Sequence, residues 1–372
     1  VTSASISISK VHQILPQLSP RDAIGTEALL IQGFLKQNGI GGEIFYDERG
    51  DNVFARPLDH LKNALDQNSS TVCLYHFSVG SAIPFRLLEL GYRIWSRYHN
   101  ITPGYFFNKP LEKSAQMACN LGRRQIPIVG LLSEALLSDS YYNAAEMAPH
   151  TSAKTAVIPI FRDYDLLVSK AKLAPRFIKS DGRKTILFVG RICPNKAQQD
   201  LVELLALDKR FGTKNTRLVL VGGFYSHDFK DAIVGFARDL GLNVSIGSQI
   251  DWSADVIIPG SISDDEMAAC YRDADVFASL SDHEGFGVPL VEAMSFGIPI
   301  LAHKSSAVTE TVGNAGLMID KADKISLLRG LERIIKDNDL RTDLNQKATI
   351  RSQELGLSAA SSKLMAFIRQ FS

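Results

Sequence analysis

Four short apolar runs, each closing on a glycine-bearing turn, constrain the fold of this chain more than any other feature. Residues 185–189 stop at Gly190, 218–221 at Gly222-Gly223, 256–259 at Gly260, and 276–280 lead into the turn from Asp282 to Gly285. Segments with helical periodicity lie between them, at 198–211, 228–240 and 263–272. The last opens with Ser263 and Glu266 at capping-box spacing. The alternation continues through a helix at 287–296, a strand at 298–302, residues 307–313 and 317–319, and long helical patterns at 324–337 and 340–355. Parallel strands need a crossover, and a helix supplies it, so the pattern predicts a parallel, doubly wound α/β sheet. Such sheets bind ligands beyond the carboxyl ends of their strands. The four turns are therefore expected to converge on one edge.

A chain of 372 residues exceeds what one core ordinarily organises. The first half carries a weaker version of the same alternation. Strands are expected at 6–15, 43–46, 72–76, 92–98 and 156–160, with helices from about 22 to 37 and 111 to 121 and a short apolar run at 126–132. The polar, basic stretch 163–184, with Pro175 and Asp181-Gly182, reads as the boundary. The expected division is residues 1–165, a linker at 166–183, a second domain at 184–355, and a terminal helix at 356–372. In that helix Leu364, Met365, Phe367 and Ile368 fall at helical spacing, which suits packing back on the first domain.

Composition excludes several classes. A formal net charge of +1 gives no general attraction for nucleic acid. Cys73, Cys119, Cys193 and Cys270 are widely separated and form no CxxC pair, which disfavours a disulfide framework or zinc site and favours a reducing compartment. Residues 1–10 lack the basic and apolar regions of a signal peptide, and no run reaches the ~18 apolar residues of a spanning helix. A cytoplasmic location is expected, with peripheral contact at the inner membrane face left open. Arg93, Trp95 and Arg97, and the pair Arg123-Arg124, are basic and aromatic enough for that surface; a buried strand and a helix-end charge pair explain them as well.

The richest chemistry lies in His283-Glu284-Gly285-Phe286-Gly287-Val288-Pro289-Leu290-Val291-Glu292. Two carboxylates flank a glycine turn that enters a helix, about 12 Å apart if the path were fully helical. That is the reach of a sugar joined through a diphosphate to a ribose. Free amides at a helix start favour an anion between them. Upstream, Gly190-Arg191-Ile192-Cys193-Pro194-Asn195-Lys196 places a planar donor fork and a compact cation across a strand-to-helix turn, a pairing suited to diphosphate. Neither Walker spacing nor GxGxxG is present, which disfavours an ATPase or a simple nicotinamide enzyme. Asp264-Asp265 and Asp273-Ala274-Asp275 read as helix ends, and no metal site is expected.

Together, G-R-x4-K, the glycine-ended strand to Gly223, Ile258-Pro259-Gly260-Ser261, E-x7-E from Glu284 to Glu292, and the continuation through Pro299 to Glu310 and Gly316 resemble the carboxyl-terminal half of retaining glycosyltransferases of family 4. The resemblance is dense over about residues 184–320. It implies a GT-B architecture, two Rossmann-like domains facing a cleft, and a metal-independent hexosyltransferase of polysaccharide or glycoconjugate biosynthesis. Its donor would be a nucleotide sugar, UDP-hexose ahead of GDP-mannose, and its acceptor a saccharide or lipid-linked saccharide. Glu292 would bind the ribose and Glu284 the donor sugar, with Gly285, Phe286 and Gly287 beside it. Gly190, Arg191, Lys196 and the amides of Val288 and Leu290 would hold the diphosphate, and Gly260 would lie by the base. In the first half, Gly25 sits where such enzymes place a glycine loop over the phosphates. His99 resembles the histidine that faces the transferred sugar or the acceptor, and His76 is a weaker candidate near the acceptor. A sugar-nucleotide 2-epimerase of the same architecture, needing no acceptor, and a non-catalytic nucleotide-sugar-binding protein are the alternatives.

Overall fold

The structure, a computed structural model, describes residues 8–17, 23–48, 55–63, 70–108 and 112–371. Its chain forms two compact units, Val1–Arg162 together with Leu355–Ser372, and Asp163–Glu354.

The first unit is built on a seven-stranded sheet. Its strands are β1 (Lys10–Gln17), β2 (Ile44–Glu48), β3 (Arg56–Pro57), β4 (Thr71–Phe77), β5 (Ile94–Tyr98), β6 (Ser133–Ser138) and β7 (Lys154–Val157). Every pairing is parallel, in the order β3-β2-β1-β4-β5-β6-β7. The chain runs outward from β1 on one side and returns to build outward from β4 on the other, so the order reverses between those two strands. The helix α1 (Ala23–Gln37) makes the first crossover. The terminal helix, Leu357–Ile368, belongs to this unit: Ala360, Leu364, Phe367 and Ile368 are buried with Val11, Leu74 and Trp95.

One expectation fails here. Residues 126–132 read as a separate apolar run, but they are the last turns of a 20-residue helix, Lys113–Leu132, with Pro127 inside it. Burial explains the difference. Ile126, Val129 and Gly130 face inward at helical spacing, while Leu131 is 83% exposed. The true strand follows at β6, where Ser133 and Glu134 disguise its start.

The second unit holds another seven-stranded parallel sheet. Its strands are β8 (Lys184–Val189), β9 (Thr216–Val221), β10 (Val244–Ile246), β11 (Val256–Gly260), β12 (Val276–Ser279), β13 (Ile300–His303) and β14 (Gly316–Ile319), in the order β10-β11-β9-β8-β12-β13-β14. The order reverses between β8 and β12. Leu201, Val202 and Leu205 from the helix Gln198–Phe211 share one core with Leu218 and Ile258 of the strands. The capping box is present, with Ser263 and Glu266 opening the helix Asp264–Asp273.

The stretch expected as a linker is largely structured. Asp163 caps a helix at Tyr164–Leu173, and the amides of Phe177 and Ile178 donate to Asp273 Oδ2 at 3.1 and 3.3 Å. Residues 163–183 thus belong to the second unit. Polar composition marked the segment as a boundary, but the amides of Phe177 and Ile178 are met by the Asp273 carboxylate, a partner no local pattern reveals.

Candidate active site

In the second unit the four glycine-bearing turns are joined by hydrogen bonds in succession. Gly222 N–H donates to Gly260 O at 3.0 Å, Ile192 N–H to Gly223 O at 2.9 Å, and Asp282 N–H to Asn195 O at 2.9 Å. Asn195 Nδ2 completes the set by donating to His283 O at 3.3 Å. The loops after β11, β9, β8 and β12 therefore form one rim at the carboxyl edge, and the switch point between β8 and β12 lies within it. Gly222 permits this approach. Its φ is 144°, and a Cβ there would stand 2.1 Å from Gly190 O, far inside contact distance.

Arg191, Lys196 and Glu284 all belong to that switch point. Lys196 Nζ lies 2.5 Å from Glu284 Oε2, with side-chain exposures of 20% and 13%. The backbone of Glu284 is pinned on both sides: its N–H donates to Ser306 Oγ at 2.8 Å, and its carbonyl accepts from Ala307 N–H at 3.3 Å. Arg191 is exposed, and its guanidinium takes no hydrogen bond or ion pair among the described residues. Cys193, between the two cations, is no nucleophile, because burial pushes its thiol up to about 11.

The helix after this loop, Val288–Ser295, starts at Gly287, whose left-handed φ of 88° and ψ of 57° make a tight entry. That geometry alters one expectation. Leu290 N–H donates to Gly287 O at 2.9 Å, so it is not open to a phosphate, and Val288 is left as the amide at the helix start. Phe286 is buried, with its carbonyl accepting from Thr311 Oγ1 at 2.6 Å. Glu292, one turn inside, is 3% exposed and accepts from Tyr271 Oη at 2.7 Å. Gly190 and Gly260 stand at the ends of β8 and β11, both at positive φ. Three of the four aspartates in the acidic pairs have partners within the second unit. Asp264 meets Lys170, Asp273 holds the 177–178 amides, and Asp275 accepts from Thr185 N–H and Lys184 Nζ.

The first unit departs further from expectation. Gly25 lies in the first turn of α1, not in a loop, and is buried. His99 follows β5, and its side chain is 3% exposed with both nitrogens engaged: Nδ1 is 3.0 Å from Asp139 Oδ2, and Nε2 is 2.9 Å from His76 Nδ1. The chain of contacts fixes the protons. Gln13 Nε2 donates to Ala28 O at 2.7 Å, which turns Gln13 Oε1 toward His76 Nε2 at 3.0 Å. His76 must carry its hydrogen on Nε2. Burial, with the charges of His99 and Arg97, holds its pKa well below the usual range, so Nδ1 is a bare acceptor. That arrangement favours His99 donating from both nitrogens, the imidazolium form. Burial opposes that charge, but Asp139 and Glu27 outweigh it and raise the pKa. Arg97 joins the same cluster, 2.7 Å from Glu27 Oε1 and 3.0 Å from Asp139 Oδ1. Two cations face two carboxylates in the interior.

This geometry corrects one reading. His99 and His76 offer no free nitrogen to a sugar or acceptor. Of the two readings left open for Arg93, Trp95 and Arg97, the buried strand holds, since Trp95 and Arg97 are 1% exposed and Arg93 pairs with Glu134. Arg123 likewise pairs with Glu146. No helix among the described residues is long and apolar enough to cross a membrane.

Several residues here escaped the sequence. Asn195 lies inside the quoted motif, yet nothing in its type marks it as the link between two loops. Ser306, Tyr271, Glu27 and Asp139 stand on other elements, and Asp139 follows the strand whose start was disguised. Only proximity in three dimensions identifies them.

Comparison with known proteins bears on the family and the fold. Residues 169–351 match the family described as glycosyl transferases group 1. The D-inositol 3-phosphate glycosyltransferase of Corynebacterium efficiens is 28% identical over 184 residues, 49% of this chain and 41% of that protein. The chain thus spans less than half the length of this curated relative. Sucrose-phosphate synthase from Thermosynechococcus elongatus superposes with a TM-score of 0.73 at 16% identity, covering 97% of this chain and 98% of that one. HepE of Anabaena, solved with UDP and glucose, gives 0.71 at 16% identity, covering 97% and 99%. At such identities the likeness is one of fold, two Rossmann-like parallel-sheet units of GT-B type. Over residues 169–351, just under half of the chain, the sequence matches the glycosyl transferases of group 1.

Proposed function

We propose that this chain is a retaining hexosyltransferase that takes its sugar from a nucleotide sugar, with UDP-hexose the favoured donor, and passes it to a saccharide or lipid-linked saccharide. The observation that carries the reading is the grouping of Arg191, Lys196 and Glu284 on hydrogen-bonded loops at the switch point of the second sheet. The UDP and glucose held by HepE, which shares the fold, support the choice of donor.

The chemistry follows from the charges that must be met. The bond from the anomeric carbon to the phosphate oxygen breaks, and a bond from that carbon to the acceptor oxygen forms on the same face. The acceptor's proton passes to the departing phosphate oxygen. Negative charge grows on the diphosphate, and Arg191, Lys196 and the Val288 amide stabilise it without calling on a metal. Glu284 accepts from hydroxyls of the sugar, and Glu292, oriented by Tyr271, serves the ribose. His99 enters as a fixed charge of the first unit, not as a sugar ligand. A cytoplasmic setting is part of the proposal, supported by four cysteines that are all free thiols.

Thermal unfolding with UDP, GDP and their hexose conjugates tests the reading. A nucleotide at 100 times its dissociation constant adds ~2.7 kcal/mol to the unit that binds it. Stabilisation by a nucleotide sugar, followed by transfer from it to an acceptor, is the expected result. Absence of any shift with the whole panel removes the proposal.

A further inference from the structure

The contact between Lys196 and Glu284 joins two groups that the proposed reaction needs apart. A diphosphate arriving at the rim meets Arg191, a cation with no partner among the described residues, and Lys196, which is already neutralised. Lys196 Nζ is 2.5 Å from Glu284 Oε2, and both side chains are mostly sheltered from water. The two loops cannot separate to relieve the pair, because Asn195 bonds to Asp282 and His283 and because Ser306 and Ala307 hold the backbone of Glu284. Only the side chains are left to move.

We propose that this ion pair makes the site selective for an intact nucleotide sugar over its separate parts. This deepens the function given above and rests on it. When a diphosphate draws Lys196 away, the Glu284 carboxylate loses its cation in a partly desolvated position. It then needs other hydrogen-bond donors, and a hexose hydroxyl on the same ligand supplies them. A nucleoside diphosphate without sugar breaks the pair and leaves Glu284 unsatisfied; a free sugar must compete with Lys196. Each half of the donor thus helps the other to bind. The same coupling loosens the nucleoside diphosphate once its sugar has been transferred.

Calorimetric titration of UDP and GDP into wild type, Glu284→Gln, Lys196→Met and the double variant tests this, with Glu284→Ala as a second removal and thermal midpoints to confirm folding. If releasing the pair costs ~1 kcal/mol, Glu284→Gln binds the nucleoside diphosphate about fivefold tighter than wild type. In the Lys196→Met background the same substitution changes nothing, because no cation remains to be released. Equal or weaker binding by both Glu284 variants overturns the coupling while leaving the nucleotide site standing. Binding of neither UDP nor GDP to wild type removes the functional reading, and this inference with it.

Discussion

Replacing Arg97 by Met tests the interior of the first unit most directly. The guanidinium is 1% exposed and meets Glu27 Oε1 at 2.7 Å and Asp139 Oδ1 at 3.0 Å, carboxylates that are 0% and 1% exposed. It also donates to the carbonyls of Ile158 at 2.8 Å and Pro159 at 3.1 Å. Methionine fills much of the volume but leaves two buried carboxylates facing His99 alone, one negative charge in excess. Removing one partner of a buried ion pair costs ~3–5 kcal/mol, chiefly from the charge left behind. In a unit of this size each kcal/mol lowers Tm by about 2–4 °C, so a fall of about 6–20 °C is expected. The unit carries Trp95, and Trp252 lies in the other, so fluorescence in a Trp252→Phe background reports the first unit alone. A change in stability under 1 kcal/mol at neutral pH would refute the reasoning.

Three further outcomes follow from the same structure. Arg191→Ala and Lys196→Ala are each expected to lower turnover by ~10²–10³, the usual loss for one transition-state donor, while Arg191→Ala leaves the melting temperature in place; near-wild-type turnover in both would remove the phosphate clamp. The raised pKa of His99 gives stability that is complete below its ordinary value of 6.5 and is lost as pH rises through the folded-state value. Nitrogen-detected NMR should therefore show both ring nitrogens of His99 protonated at neutral pH, and Asp139→Asn should bring its titration down. Phe367→Ala, which empties a buried site against Trp95, should cost ~3–5 kcal/mol in the unfolding of the first unit, although the residue lies near the chain's far end.

Legibility differed sharply between the two halves. In the second, strands such as Ile186 to Val189 are β-branched and aromatic, are buried on both faces, and end on glycines, so their pattern is strong enough to read without context. In the first, the helix Lys113–Leu132 ends in an apolar run with an internal proline, and the following strand begins with serine and glutamate. Tertiary burial overrode local preference at both places. The two site glutamates follow the same division. Glu284 was legible as a rim residue because its glycine turn is local. The burial of Glu292 under Tyr271 was not, since Tyr271 comes from a different helix.

The sequence by itself determined the parallel α/β class, the need for two units, and the cation and carboxylate motifs beside the strand ends, because periodicity and turn chemistry act over a few residues. The tertiary structure alone decided that Lys196 rests on Glu284 and that His99 is enclosed among Asp139, Glu27 and His76. Those are matters of which distant groups share a desolvated space. Charge, protonation and access are set by that sharing, and no short stretch of chain contains it.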